Sequence, residues 1–233
     1  MVDDTVIEAE NISYTYPDGT LGFREVTLRV KSGEKLAIIG ANGSGKSTLL
    51  LVLSGLLKPT SGRVRIFGID PEENLEEIRK NVGFLFQDPD IFLFNSTVFD
   101  ELRYVPAQLE WSSEKIKSEV EKIAREFGIE GILKKPPFRL SGGEKKRVAL
   151  ASILIYSPKI LFLDEPFANV DARTKRKIVR TLEGYEGTVV FTSHDLDVVE
   201  NLADRIVVMS LEKRIIAEIE SLEENVLRKA DLI

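Results

Sequence analysis

The 233 residues are 43% hydrophobic and 30% charged, enough for a sizeable core under a well-solvated surface and suited to one large α/β unit carrying an insert. A formal net charge of −6, from 32 basic and 38 acidic side chains, excludes a uniformly basic nucleic-acid footprint, though not a local patch. The lack of cysteine and the single histidine exclude disulfides, zinc–thiolate sites and multi-histidine metal sites.

Few Met residues and many Glu and Lys hint at a heat-adapted host. Met1-Val2-Asp3-Asp4 is acidic with no apolar core behind it, so it does not read as a secretory leader. No apolar run approaches the roughly 20 residues that span a bilayer. The expectation is a soluble, cytoplasmic protein that reaches any membrane through a partner.

In chain order, Val26 to Val30 alternates like a half-buried strand, and Lys35 to Ile39 reads as a buried strand ending at Gly40. An apolar helix is expected over Leu49 to Leu57. Arg63 to Phe67 alternates again. Asp70-Pro71 looks like a helix start, with Leu75, Ile78 and Val82 on one face. Val82 to Phe86 returns to strand.

From about Gln87 to Tyr156 the pattern turns helical. Ser113 is placed to cap a helix with the stripe Ile116, Val120, Ile123 and Phe127, ended by Gly128. Lys134-Lys135-Pro136-Pro137 reads as a stiff linker before a second helix from about Gly143 to Tyr156. Then come a strand at Ile160 to Leu163, a helix at Arg173 to Leu182, a strand at Val189 to Thr192, a helix at Asp195 to Ala203 and a strand at Arg205 to Met209. Ser221-Leu222-Glu223-Glu224 suggests a capping box before a last helix. This alternation implies an α/β fold with a mostly parallel sheet covered on both faces. The expected division is an α/β core, residues 1–87 and 157–233, with a helical subdomain at 88–156.

Gly40-Ala41-Asn42-Gly43-Ser44-Gly45-Lys46-Ser47 fits G-x-x-x-x-G-K-[ST] between a strand and a helix, the context that motif requires. Its backbone N–H groups can close on phosphate oxygens at a helix N-terminus, with Thr48 next in the helix. Lys46 is expected to reach the β- and γ-phosphates, and the Ser47 hydroxyl to bind Mg²⁺. Asp164 ends an apolar strand 118 residues after Lys46, on the ligand-binding edge of such a sheet. It is placed for the Mg²⁺ shell, and Glu165 beside it to polarise an attacking water.

Leu140-Ser141-Gly142-Gly143-Glu144 alone would be an ordinary capped helix start. At 23 residues before Asp164, Ser141 and its two glycines resemble the signature motif of ABC ATPases, and the resemblance extends over nearly the whole chain. It implies a P-loop core with an N-terminal antiparallel β part and the inserted helical subdomain. Gln87 resembles the family's Q-loop glutamine, which stands at the metal and links nucleotide to transporter. His194, 30 residues beyond Asp164, resembles the switch histidine at the γ-phosphate. Asp171, seven beyond Asp164, matches the D-loop aspartate that reaches across a dimer, although Ala168-Asn169-Val170 departs from the usual Ser-Ala-Leu. Tyr16 resembles the aromatic on which adenine stacks; Tyr14 competes, and strand packing is the alternative for either.

The resemblance implies ATP and Mg²⁺ as ligands and a second ABC ATPase subunit, identical or homologous, as partner. Transmembrane transporter subunits would hold the chain at the cytoplasmic face of the membrane. Two subunits would face head to tail, ATP on Lys46 and Ser47 of one being capped by Ser141, Gly142 and Gly143 of the other. Glu165 would serve as base, with His194 and Gln87 placing γ-phosphate and water. Tyr14 to Thr20 and Phe86 to Asp90 look most like ATPase subunits of energy-coupling-factor importers of vitamins or transition-metal ions. The competing readings are a soluble ABC ATPase acting on nucleic acid or the ribosome, and a module that binds ATP without turnover. The net acidity and the filled catalytic positions argue against them, and no nucleic-acid partner is expected.

Overall fold

A computed structural model describes residues 4–232. Met1 to Asp3, which bear on the reading of the N-terminus, lie outside the described residues. The chain opens with two long strands, β1 (Thr5–Thr15) and β2 (Leu21–Lys31), and continues through β3 (Lys35–Gly40), α1 (Lys46–Leu53), β4 (Ser61–Ile66), α2 (Leu75–Arg79) and β5 (Val82–Leu85). Three helices follow, α3 (Val98–Gln108), α4 (Ser113–Phe127) and α5 (Gly142–Leu154). The remainder alternates: β6 (Ile160–Leu163), α6 (Ala172–Glu183), β7 (Thr188–Thr192), α7 (Leu196–Leu202), β8 (Arg205–Met209), β9 (Ile215–Ile219) and α8 (Glu224–Lys229).

Two sheets result. One is antiparallel with order β2-β1-β4; the other has order β5-β6-β7-β3-β8-β9, parallel except for β9. The central strands are apolar through their middles, as strands covered on both faces must be; β6 (Ile160-Leu161-Phe162-Leu163) is apolar and buried throughout. One face packs with α1 and the antiparallel sheet around Phe23, Leu49, Ile38 and Phe162. The other face shares a core with α3, α4 and α5, where Leu102, Phe127 and Val148 meet Leu161 and Phe191. Among the described residues no helix is long and apolar enough to cross a membrane.

Several element starts differ from the sequence reading, each for a local reason. Asp70 caps only an isolated turn, through the N–H of Glu72 at 3.0 Å, and the helix begins at Leu75 with Asn74 as its cap, accepting from Glu77 N at 3.1 Å. Ser112, not Ser113, caps α4 through Lys115 N. The Ser221 capping box does not form: the Leu222 amide is taken by Glu200 at 3.0 Å, and α8 starts at Glu224 with no side-chain cap. Helix α1 stops at Leu53, ahead of Gly55 in left-handed geometry (φ 75°). The expected stop of α4 at Gly128 is present, with φ 63°.

Candidate active site

Strand register builds the site. Strand β7 lies between β6 and β3, pairing Leu163 with Phe191 and Thr192 with Ile38. The chain leaves β3 into the loop 40–45, β6 into Asp164-Glu165 and β7 into His194, so three functional segments emerge side by side at one edge of the sheet. A ligand site at the C-terminal ends of parallel strands is the general expectation for this topology.

The loop wraps around the start of α1. Gly43 and Gly45 have φ 82° and 100°, and a side chain on Gly45 would collide with the Gly22 carbonyl at 2.2 Å. Only glycine permits that path, which aims N–H groups outward for an anion. Lys46 Nζ lies back on the loop, donating to Gly40 O at 2.8 Å and Ala41 O at 3.1 Å. Burial pushes the Lys46 ammonium below its ordinary pKa, and Glu165 and Asp164 pull it the other way. Ser44 is fully buried: its Oγ has no hydrogen-bond partner among the described residues, and its amide donates to Ala41 O at 3.1 Å, which tightens the loop from within.

One carboxylate oxygen organises the edge. Asp164 Oδ1 accepts from Ser47 Oγ at 3.0 Å and from Thr192 Oγ1 at 2.7 Å. Oδ2 accepts no hydrogen bond among the described residues. The donor set fits a hard divalent cation: a hydroxyl whose proton points at Asp164, a carboxylate oxygen to spare, and the nearby Gln87 amide. The described residues hold no cage of three or more His, Cys, Asp or Glu. Mg²⁺ needs none, since it commonly sits on one carboxylate with substrate phosphates and water.

Glu165 is 7% exposed and adopts left-handed backbone geometry, φ 47°. Its N–H donates to Thr192 Oγ1 at 2.9 Å, and its Oε2 lies 2.8 Å from Nδ1 of the exposed His194. Asp195, just after His194, caps α7 through Val198 N and is ion-paired with Lys175. Burial raises the Asp195 pKa, but the bonds from Lys175 and Val198 outweigh it, so the carboxyl stays below its usual range.

Asn42, Gly43, Gly45, Lys46, Ser47, Thr48, Gln87, Glu165 and His194 share one cavity of about 610 Å³. Tyr16 joins it through a 2.8 Å bond between its hydroxyl and Thr48 Oγ1, and Tyr14 stands edge-on to Tyr16 with ring centroids 5.0 Å apart. A second cavity of about 540 Å³ runs from Ser47, Gln87 and Asp164 to Gly142.

The structure does not gather every expected residue on the phosphate loop. Ser141 is exposed at the start of α5, in a capping box with Glu144. Asp171 caps α6, taking the amides of Arg173 and Thr174 at 2.9 and 3.0 Å, and lies beside Gly143. These hydrogen bonds, chiefly from Thr174, hold the Asp171 carboxyl below its usual pKa. A cavity of about 810 Å³ lies on this side, ringed by Arg125, Arg147, Arg173, Arg176 and Arg180, and touches no part of the phosphate loop.

Three site residues were missed in the sequence. Thr192 reads there as one more β-branched strand residue. Lys213 lines the nucleotide-sized cavity from the β8–β9 turn, with no motif to mark it. Lys146, on α5, is 2% exposed and donates to the Gln87 carbonyl at 2.9 Å.

Residues 23–168 match the family model described as ABC transporter. The chain belongs to that family. Within it, the chain is an ATP-binding subunit that hydrolyses ATP. It is 58% identical over 211 residues to an ABC transporter ATP-binding protein of Archaeoglobus fulgidus, covering 90% of this chain and 89% of that one. It is 41% identical over 236 residues to the energy-coupling factor transporter ATP-binding protein EcfA of Methanothermobacter thermautotrophicus, covering 98% of this chain and 74% of that one. Among solved structures, cbiO1 of Clostridium perfringens, part of the complex cbiONQ, superposes with a TM-score of 0.81 at 33% identity over 98% of this chain and 95% of that one. A dimeric ATP-binding cassette in a post-hydrolysis state with ADP and Pi gives 0.83 at 28% identity over 93% of this chain and 99% of that one.

Proposed function

We propose that this ATPase powers an importer of the energy-coupling-factor type, for a vitamin or a transition-metal ion, from the cytoplasmic face of the membrane. The observation that carries the catalytic part is the convergence of Ser47, Asp164, Thr192, Glu165 and His194 on the phosphate loop. The likeness to EcfA and to cbiO1 supports the importer class.

The residues divide the work. Lys46 turns from the loop carbonyls to the β- and γ-phosphates, and the amides of Gly43 and of residues 45–48 hold the phosphate chain. Ser47, Asp164 and Gln87 hold Mg²⁺, which supplies charge neutralisation at the phosphates. Glu165, fixed at its backbone by Thr192 and at its carboxylate by His194, takes the proton of the attacking water. His194, exposed beside Glu165, donates to the γ-phosphate. Tyr16, tethered to Thr48, stacks on adenine. Ser141, Gly142 and Gly143, at the N-terminus of α5, cap the nucleotide of a second subunit, and Asp171 faces that subunit from beside Gly143. A second subunit of the same family and transmembrane subunits are the partners.

The test is co-expression with any small transmembrane proteins found encoded beside the gene. Purified complex in liposomes is expected to take up labelled nickel, cobalt or a vitamin only with ATP inside the compartment that bears this subunit. Failure to form a complex with any of them, while the free subunit hydrolyses ATP, would discard the importer assignment and leave the ATPase intact.

A further inference from the structure

Two consecutive lysines of α5 hold the segment that follows β5. Lys146 Nζ donates to the Gln87 carbonyl at 2.9 Å, and Lys145 Nζ pairs with Asp90 Oδ1 at 2.5 Å. Neighbouring helix positions project about 100° apart, so the two side chains grip different parts of the segment. The pairs differ in environment. Asp90 keeps 60% of its side chain exposed. Lys146 is 2% exposed, has no carboxylate within ion-pair distance among the described residues, and is balanced at longer range by Asp164, Glu165 and Asp88. Lysine is almost never buried this fully without a paired charge, and a Leu or Met would pack there without the desolvation cost. Lys146 also lines the cavity that joins Gly142 to Ser47, Gln87 and Asp164. It therefore stands between the helix that begins at the signature glycines and the residue assigned to the metal.

We propose that Lys146, assisted by Lys145, is a positioning residue that clamps the main chain of Gln87 to the signature helix, so that the two move as one body. A second subunit's nucleotide seated on Ser141 to Gly143 would then set the place of the Gln87 amide at Mg²⁺ through this link. The proposal rests on the role given to Gln87 above.

The test is Lys146→Met in the full chain, with Lys146→Arg as the conservative variant. Amide deuterium exchange over residues 86–91 is expected to rise in Lys146→Met, with exchange over α5 and the phosphate loop unchanged. The Mg²⁺ concentration giving half-maximal ATPase is expected to rise about tenfold, as for loss of one hydrogen bond from a charged donor, while KM for ATP at saturating Mg²⁺ stays within roughly twofold. Lys146→Arg restores both readouts in large part. Lys145→Met gives a smaller effect that fades with salt, as an exposed pair should. In a Gln87→Ala background Lys146→Met adds little, because the side chain it positions is gone. Unchanged exchange at 86–91, or fully additive losses in the double variant, overturns the clamp. Wild-type turnover in Gln87→Ala alone overturns the role of Gln87 instead, and exchange then decides the clamp by itself. If Lys146→Met does not fold, Lys146→Gln, whose shorter and uncharged side chain weakens the bond to the Gln87 carbonyl, carries the same readouts with smaller expected changes.

Discussion

Thr192 Oγ1 lies 2.7 Å from Asp164 Oδ1 and, with its other face, accepts the Glu165 amide at 2.9 Å. One hydroxyl thus sets both carboxylates of the site. Glu165 needs that support, since a non-glycine residue in left-handed geometry costs on the order of 1–3 kcal/mol and persists only where its surroundings over-determine it. Thr192 is fully buried, so Thr192→Val keeps the shape and removes both bonds. The unpaired Glu165 amide should cost about 1–3 kcal/mol of stability. ATP turnover should fall on the order of tenfold or more through misplaced carboxylates. Thr192→Ser should recover most of both. Thermal melts beside steady-state ATPase rates check this; an unchanged rate in Thr192→Val would remove the hydroxyl from the catalytic arrangement.

Lys46→Ala tests the phosphate loop. The side chain is 7% exposed and tied to Gly40 O and Ala41 O, so its removal frees two loop carbonyls and also relieves a buried charge. These opposing effects should leave the melting temperature little changed. Hydrolysis should drop on the order of 10²-fold or more, because the cation over the transferring phosphoryl group is gone. The measurement is phosphate release beside a melt, and near-normal turnover would sink the assignment.

Glu165→Gln separates binding from chemistry. The amide can still accept from His194 Nδ1, which lies 2.8 Å from Oε2, but it cannot take a proton. Turnover should fall on the order of 10² to 10⁴-fold while ATP binding survives. With hydrolysis blocked, a closed pair should accumulate as an ATP-dependent shift to dimer in gel filtration, needing the homologous chain if the pair is mixed. Wild-type turnover in this variant would take the base role away from Glu165.

How much of this was legible depended on how local the signal was. The phosphate loop was, because its glycines and Lys46 sit in one contiguous stretch between an apolar strand and a helix. So was α4, whose buried Val120, Ile123 and Phe127 recur at helical spacing. Strand β1 was not: its pairing with β2 shifts register repeatedly and Asn11 sits at φ 47°, which breaks the alternation a strand needs to be read. Strand β9 lacks contrast, with the apolar Ile216 41% exposed. Helix α3 hides behind Pro106 in its interior and is started by Thr97, whose Oγ1 accepts from Asp100 N. Thr192 and Lys146 owe their roles to neighbours 28 and 59 residues away in sequence, Asp164 and Gln87, which no local pattern encodes.

In sequence, the segment 88–104 sets Ile91, Phe92, Leu93 and Phe94 beside Asp88, Asp90, Asp100 and Glu101, the pattern of an apolar cluster rimmed by acid to which a basic helix of a membrane subunit could dock. The structure divides that set. Ile91 and Phe94 are 68% and 67% exposed, and Phe94 stands edge-on to the half-exposed Tyr104 at 5.1 Å. Leu93 is buried and Phe92 packs against the core under α3 and α5. Glu101 leaves the rim altogether: it is 3% exposed, and its carboxylate accepts from the amide and side chain of Asn95. Asp100 stays at the surface, paired with Arg103 at 3.3 Å. Glu101→Lys should therefore unfold the turn at Asn95, with a lower melting temperature, and says nothing about docking. Phe94→Ser and Asp100→Lys are the informative changes. Phe94→Ser removes an apolar anchor already in water, and Asp100→Lys sets like charges against a basic partner. Neither residue lines the nucleotide cavity, so the isolated subunit should keep its ATPase rate. Co-purification with the membrane subunits should fall for both, more for Phe94→Ser at high salt, where the charge contribution is screened. Undiminished co-purification of the double variant would move the docking site elsewhere, and a large loss of solution ATPase would give these residues a different job.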